Sequence, residues 1–140
     1  RAAVKGVPDA GGKPRILRMR HTADTSFLGL SAAEMSGSGF GIGIQAKGTA
    51  VIHQKGRKPH NNLELFSNAP ITTLQHYEAL GRNAAAWAQG ERPEPVIVPT
   101  QGQALGARFH AQVAIIHAIE TGLAEPDLPP QEVSVRFAAS

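Results

Sequence analysis

The run Gly39-Phe40-Gly41-Ile42-Gly43-Ile44-Gln45-Ala46-Lys47-Gly48-Thr49-Ala50-Val51-Ile52-His53-Gln54 decides how the chain folds. Two apolar stretches of strand length flank Ala46-Lys47-Gly48, and a three-residue loop containing glycine is a standard hairpin connection. Glycine at every second position strips one face of the first strand of side chains. That lets a helix, another backbone or a large flat ligand approach closely. The pattern is not Gly-x-Gly-x-x-Gly and precedes no helix, so a dinucleotide-binding reading fails on context. At the hairpin tip, Lys47 lies beside Gly48 and Thr49, where an ammonium and free backbone N–H groups suit a phosphate, although a hairpin-tip lysine is more often a solvated charge.

Upstream, Arg15 to Thr22 alternates Leu17 and Met19 against Arg18 and Arg20, the signature of a strand. Residues 1–14 carry Gly6-Val7-Pro8 and Gly11-Gly12-Lys13-Pro14 and read as a loop or the end of a helix. Residues 25–35 suit a short helix stopped at Ser36-Gly37-Ser38-Gly39. Downstream, 55–62 is a polar loop and Leu63 to Phe66 returns to the core. Ser67 and Asn68 are cap-type residues before Pro70, which fits the first turn of a helix carried by Ile71, Leu74, Tyr77, Leu80, Ala84 and Trp87 and closed by Gly90 and Pro93. Val96-Ile97-Val98 reads as a short buried strand. Residues 108–122 fit a last helix, though strand alternation fits them nearly as well, and 132–137 reads as extended. This order implies one domain over 1–140, with 123–140 as a C-terminal extension. The expected fold class is α/β: three-layer α/β/α with a mixed, mostly parallel sheet containing one antiparallel hairpin strand.

Composition narrows the chemistry. The chain has 140 residues and no cysteine, which removes disulfides, thiolate metal sites and thiol nucleophiles. It has no apolar run near the roughly eighteen residues of a membrane span and no secretory leader, so a cytoplasmic location is expected. The net charge of +3 is spread along the chain. Its one cluster, Lys55, Arg57 and Lys58, is too short and too poor in aromatics for a nucleic-acid platform. Six histidines are scattered without ligand spacing, and His53, inside the second hairpin strand, reads as a packed, hydrogen-bonded residue. Asp24, Glu64, Glu78 and Glu120 form no catalytic pair, so Asp24 reads as a loop hydrogen-bonder and the helical glutamates as surface charges.

The run Ser36 to Gln54, followed by Asn62-Leu-Glu-Leu-Phe-Ser-Asn-Ala-Pro70, resembles the medium subunit of adenosylcobalamin-dependent diol and glycerol dehydratases. His21-Thr-Ala-Asp-Thr-Ser-Phe27, Tyr77, Gly81, Asn83-Ala-Ala85 and the Phe109–Thr121 segment extend the likeness over roughly 15–122. The resemblance implies a non-catalytic subunit that shares adenosylcobalamin, base-on, with a large catalytic subunit, in a hetero-oligomer that also contains a small subunit. The large subunit would convert a vicinal diol to an aldehyde and water. Neither nucleic acid nor membrane is an expected partner, and the location would be cytoplasmic, with room for a bacterial microcompartment. By the same resemblance Lys47 meets the phosphate of the nucleotide loop, and Asp24, Thr49, Ser67 and Asn68 hydrogen-bond corrin amides or nearby cofactor atoms. Asn68 stands where the family usually has glutamine. Arg108 is the candidate for an arginine that the family places just before the Phe109 segment. Family members carry a first strand and most of a helix ahead of residues 1–14, so either a truncated, cleaved or partial chain lacking a central strand, or a sheet with a different strand inventory, is also expected. Two other readings stay open: the small subunit of a dehydratase-reactivating factor, against which Lys47 and the Ser67 loop count, and a free-standing cobalamin module, against which the missing Asp-x-His-x-x-Gly counts.

Overall fold

The computed structural model describes residues 1–66, 71–99 and 102–138. The hairpin forms where the sequence places it. Strands β2 (Phe40–Ile44) and β3 (Ala50–Gln54) pair antiparallel from Phe40↔Gln54 to Ile44↔Ala50. Gly48 N–H donates to Gln45 O at 2.9 Å and Gln45 N–H to Thr49 O at 3.0 Å, which closes the loop. Gly48 sits at φ +94°, the left-handed position that a three-residue hairpin loop assigns to glycine.

The glycine-stripped face of β2 receives a helix. Asp24 caps α2 (Thr25–Met35) by accepting the N–H groups of Ser26 at 2.8 Å and Phe27 at 3.2 Å through Oδ1. The helix then runs antiparallel to β2. A Cβ on Gly41 would stand 2.3 Å from Ala33 N, and one on Gly43 would stand 2.4 Å from Gly29 N and 2.6 Å from Thr25 O. Close helix packing is therefore what these alternate glycines serve on this face.

The opposite face builds the core. Ala50 and Ile52 of β3 and Phe66 of β4 (Glu64–Phe66) bury against Leu80 and Ala84 of α3 (Leu74–Ala88). Phe40 stacks on Trp87 at 6.5 Å between ring centroids. Behind α3 lies α1 (Ala2–Asp9), so residues 2–9 of the segment read as a loop or helix end are helical. The two helices cross backbone to backbone where Gly6 faces Glu78 and Gly81 faces Ala3.

The sheet itself corrects the expectation. Neither sheet is mostly parallel: β2-β3-β4 is antiparallel throughout. Residues 55–63 between β3 and β4 fall short of the dozen or so that a parallel crossover needs. The strand read over Arg15–Thr22 contracts to β1 (Leu17–Arg18). It pairs antiparallel, apart from the hairpin, with β5 (Gln131–Glu132), all that remains of the extended piece at 132–137. Arg15 fixes this pairing with a two-pronged contact to Glu132 at 3.0 and 2.8 Å and donates to Met35 O at 2.7 Å.

Three further boundaries move. Thr73, not a residue at 67–70, caps α3, and its N–H donates to His76 Nδ1 at 3.0 Å. Val96 to Val98 form no ladder: Val96 N–H donates to the buried Glu64 carboxylate at 3.1 Å, and Pro95 and Pro99 flank the segment. The final helical region is split at Phe109 into α4 (Gly102–Arg108) and α5 (His110–Gly122), and α5 buries none of its residues. No helix among the described residues is long and apolar enough to cross a membrane.

Candidate functional site

One end of the three-stranded sheet gathers Asp24, Lys47 and Thr49 of the expected residues because several elements begin or end there. The β2–β3 loop presents Lys47. The β3–β4 register pairs Phe66, the last residue of β4, with Ala50, next to Thr49. The N-terminus of α2 lies at the Gly43 end of β2, and the buried Gln45 amide donates to Ala23 O, joining the hairpin to the residue before Asp24. The first turn of α3 arrives as Tyr77, whose hydroxyl donates to Gly48 O.

Within this end, Lys47 is half-buried. Among the described residues its ammonium forms no ion pair and its N–H has no partner. In the Gln45–Gly48 turn, Ala46 and Lys47 hold the central positions, where N–H groups are not consumed by the turn. The Ala46 N–H goes instead to the Glu120 carboxylate, at 3.1 Å from Oε1 and 3.0 Å from Oε2. Lys47 thus offers an ammonium and an amide N–H from one residue at the hairpin tip, a pairing suited to an oxyanion.

Asp24 is committed in part. Its Oδ1 holds the first turn of α2, a loop hydrogen-bonding role like that read from the sequence, and its own N–H donates to Thr22 Oγ1 at 3.1 Å. Beside it, Asn62 Nδ2 donates to the buried Ser26 Oγ at 3.2 Å. The Asn62 Oδ1 and Gln45 Oε1 atoms are buried without a partner among the described residues. Unpaired buried carbonyl oxygens are costly and call for a donor.

Thr49 is half-buried and accepts the Gln45 N–H through its backbone oxygen. Ser67 and Asn68 lie outside the described residues. Arg108, on the last turn of α4, is exposed with its guanidinium 5.7 Å from the Phe109 ring centre. About 15 Å of helix separates His110 from Glu120 at the tip, and no described contact brings Arg108 there.

Sequence reasoning passed over Gln45, Asn62, Tyr77 and Glu120 as site residues. Gln45 and Asn62 both stand in the runs that carry the family resemblance, which was the available signal. Tyr77 and the Phe109–Thr121 segment holding Glu120 also carry the resemblance, but the residue patterns themselves read Tyr77 as a core position of α3 and Glu120 as a surface charge. Burial pushes the Tyr77 hydroxyl above its ordinary value, with a hydrogen bond to Thr72 working the other way. The protonated donor that holds Gly48 is thereby favoured.

The remaining candidate groups have structural employment. His53 is fully buried; Nδ1 accepts Gln54 N–H at 2.9 Å and Nε2 stands 2.9 Å from Pro59 O, which places the proton on Nε2. Glu64 accepts from Asn83 Nδ2 at 2.8 Å as well as from Val96. No cluster of three or more metal-ligating side chains occurs among the described residues.

Comparison with known families bears on the same segments. Residues 2–94, well over half of the chain, match the family model described as dehydratase medium subunit. The matched region contains α1 to α3, the hairpin with Lys47, and the Asp24 loop. The chain therefore belongs to the dehydratase medium subunit family and is a subunit of a diol/glycerol dehydratase complex, a lyase of several chains.

Proposed function

We propose that this chain is the non-catalytic, cobalamin-holding subunit of its dehydratase, and that Lys47 at the hairpin tip anchors the phosphate of the cofactor's nucleotide loop. The observation that carries this reading is the pairing of an ammonium and an N–H on Lys47, neither engaged among the described residues, at the end of the sheet where Asp24 also stands.

The residues present suit such a ligand. A corrin edge carries amides, which donate and accept, and one phosphate, which calls for a cation and amide donors. Gln45 Oε1 and Asn62 Oδ1 are buried acceptors without donors among the described residues, and Thr49 adds a hydroxyl near Lys47. In this assignment Asp24 and Thr49 hold amide groups, joined by Ser67 and Asn68 from the chain beyond β4. Arg108 would act at the periphery.

Adenosylcobalamin, when bound, supplies radical chemistry that no side chain of this chain offers. This chain's own residues bind and orient: Lys47 fixes the phosphate, the sheet end fixes the corrin edge, and the large subunit covers the rest and holds the diol. The non-catalytic role is supported by the employment of Asp24, Glu64, Glu120 and His53 in capping, loop and turn contacts.

Reconstitution tests the proposal. The purified chain is expected neither to dehydrate propane-1,2-diol nor to retain cobalamin through gel filtration, whereas its complex with the large and small subunits does both. Turnover of the diol by the isolated chain, or tight retention of cobalamin by it, contradicts the division of labour. A complex that forms but binds cobalamin equally well without this chain contradicts the holding role.

A further inference from the structure

Glu120, which lies beyond the residues matched by the family, reaches the residue immediately before Lys47. Both carboxylate oxygens sit on the Ala46 N–H, while Tyr77 holds the Gly48 carbonyl from α3. The residues on either side of Lys47 are therefore clamped from two helices, and Lys47 itself is left without an ion pair among the described residues. Glu120 does not pair with Lys47 although it bonds the adjacent residue, so the carboxylate and the ammonium are used separately. Nor does core packing explain the contact, because α5 buries no residue.

We infer that Glu120 is a positioning residue: it fixes the backbone of the hairpin tip so that the Lys47 N–H and ammonium are held ready for the cofactor phosphate. This rests on the cobalamin-holding role proposed above. A tip free to rotate would have to be ordered at each binding event, and that ordering cost lowers affinity. The carboxylate's charge opposes a phosphate, so the benefit lies in the hydrogen bond and not in the charge. Glutamine keeps an acceptor oxygen and removes the charge, and alanine removes both.

The experiment uses the assembled dehydratase complex carrying Glu120→Ala, Glu120→Gln or Lys47→Ala. Equilibrium cobalamin affinity is measured together with hydrogen exchange of a peptide spanning residues 45–49 in the cofactor-free complex. Glu120→Ala is expected to weaken affinity about three- to tenfold and to speed exchange at the tip, with kcat at saturating cofactor unchanged and with Glu120→Gln restoring both affinity and protection. Wild-type or tighter affinity in Glu120→Ala overturns the inference, because Glu120 is then only a repulsive or idle charge. Equal losses in Glu120→Ala and Glu120→Gln, or unchanged exchange in Glu120→Ala, also overturn it. If Lys47→Ala leaves affinity intact, the fault lies with the phosphate-anchor reading itself.

Discussion

The Tyr77 hydroxyl donates to the Gly48 carbonyl, a bond that ties the first turn of α3 to the loop of the β2–β3 hairpin. The hairpin tip is consequently part of the packed domain and not a free loop. Tyr77→Phe keeps the ring in the core and leaves that carbonyl without its donor. The expected cost is about 1 kcal/mol in urea denaturation, with faster amide exchange at residues 45–49. An unchanged midpoint together with unchanged exchange would show that the bond contributes nothing.

Gly43 and Gly37 should respond oppositely to the same substitution. A methyl group on Gly43 meets α2 backbone at 2.4 and 2.6 Å, whereas one on Gly37 meets nothing within 4 Å. Gly43→Ala is expected to destabilise by at least about 1–3 kcal/mol, and Gly37→Ala to stay within about 0.5 kcal/mol of the parent. Thermal melts of both variants decide it. Equal behaviour would mean that α2 does not rest on the glycine face.

Asp24 combines a helix cap with a proposed contact to the cofactor, and two variants separate the roles. Asp24→Ala removes the acceptor for Ser26 and Phe27 and should cost about 1 kcal/mol of stability. Asp24→Asn keeps the cap and most of the stability. A cobalamin affinity reduced in both variants points to the charge, and one reduced in alanine alone points to the cap.

The β1–β5 pairing should be acid-sensitive. Its hydrogen bond with Arg15 holds the Glu132 carboxyl below the usual carboxylate value of 4.5, against some desolvation and with the guanidinium's charge adding a smaller pull in the same direction. A carboxylate depressed in the folded state contributes stability that is complete above its unfolded value and is lost as pH falls through the folded one. Exchange of the Val133 N–H, which donates to Ile16 O at 2.9 Å, should therefore accelerate below about pH 4.5, after correction for intrinsic rates. Glu132→Gln should abolish that step. Its persistence in the variant would assign the acid response to another group.

What the sequence revealed divides along contact distance. The hairpin was legible because its partners are adjacent in the chain and Gly48 marks the turn, and α2 was legible over 25–35 from its apolar residues and the Ser36–Gly39 stop, although its cap proved to be Asp24 and not Thr25 or Ser26. Strand direction in the sheet was not, because element order alone leaves open whether consecutive strands pair side by side, as here, or across a helix. The β1–β5 pair joins residues whose short patterns, such as Arg15 to Thr22, carry no information about a partner over 100 residues away. The site shows the same division. The position of Lys47 at the hairpin tip was legible because the loop is short and local. Glu120 acts across 74 residues and Gln45 across 22, and a glutamate on an exposed helix or a glutamine closing a strand gives no local sign of such a contact.

The central claim is that Lys47 anchors the cofactor phosphate from a subunit that performs no chemistry of its own. It is tested most directly by the equilibrium affinity of the assembled complex for adenosylcobalamin with Lys47 and with Lys47→Ala. A loss of roughly 1.5–3 kcal/mol is expected, the usual contribution of a charged hydrogen bond, with kcat preserved at saturating cofactor. Equal affinity in the two complexes would contradict it.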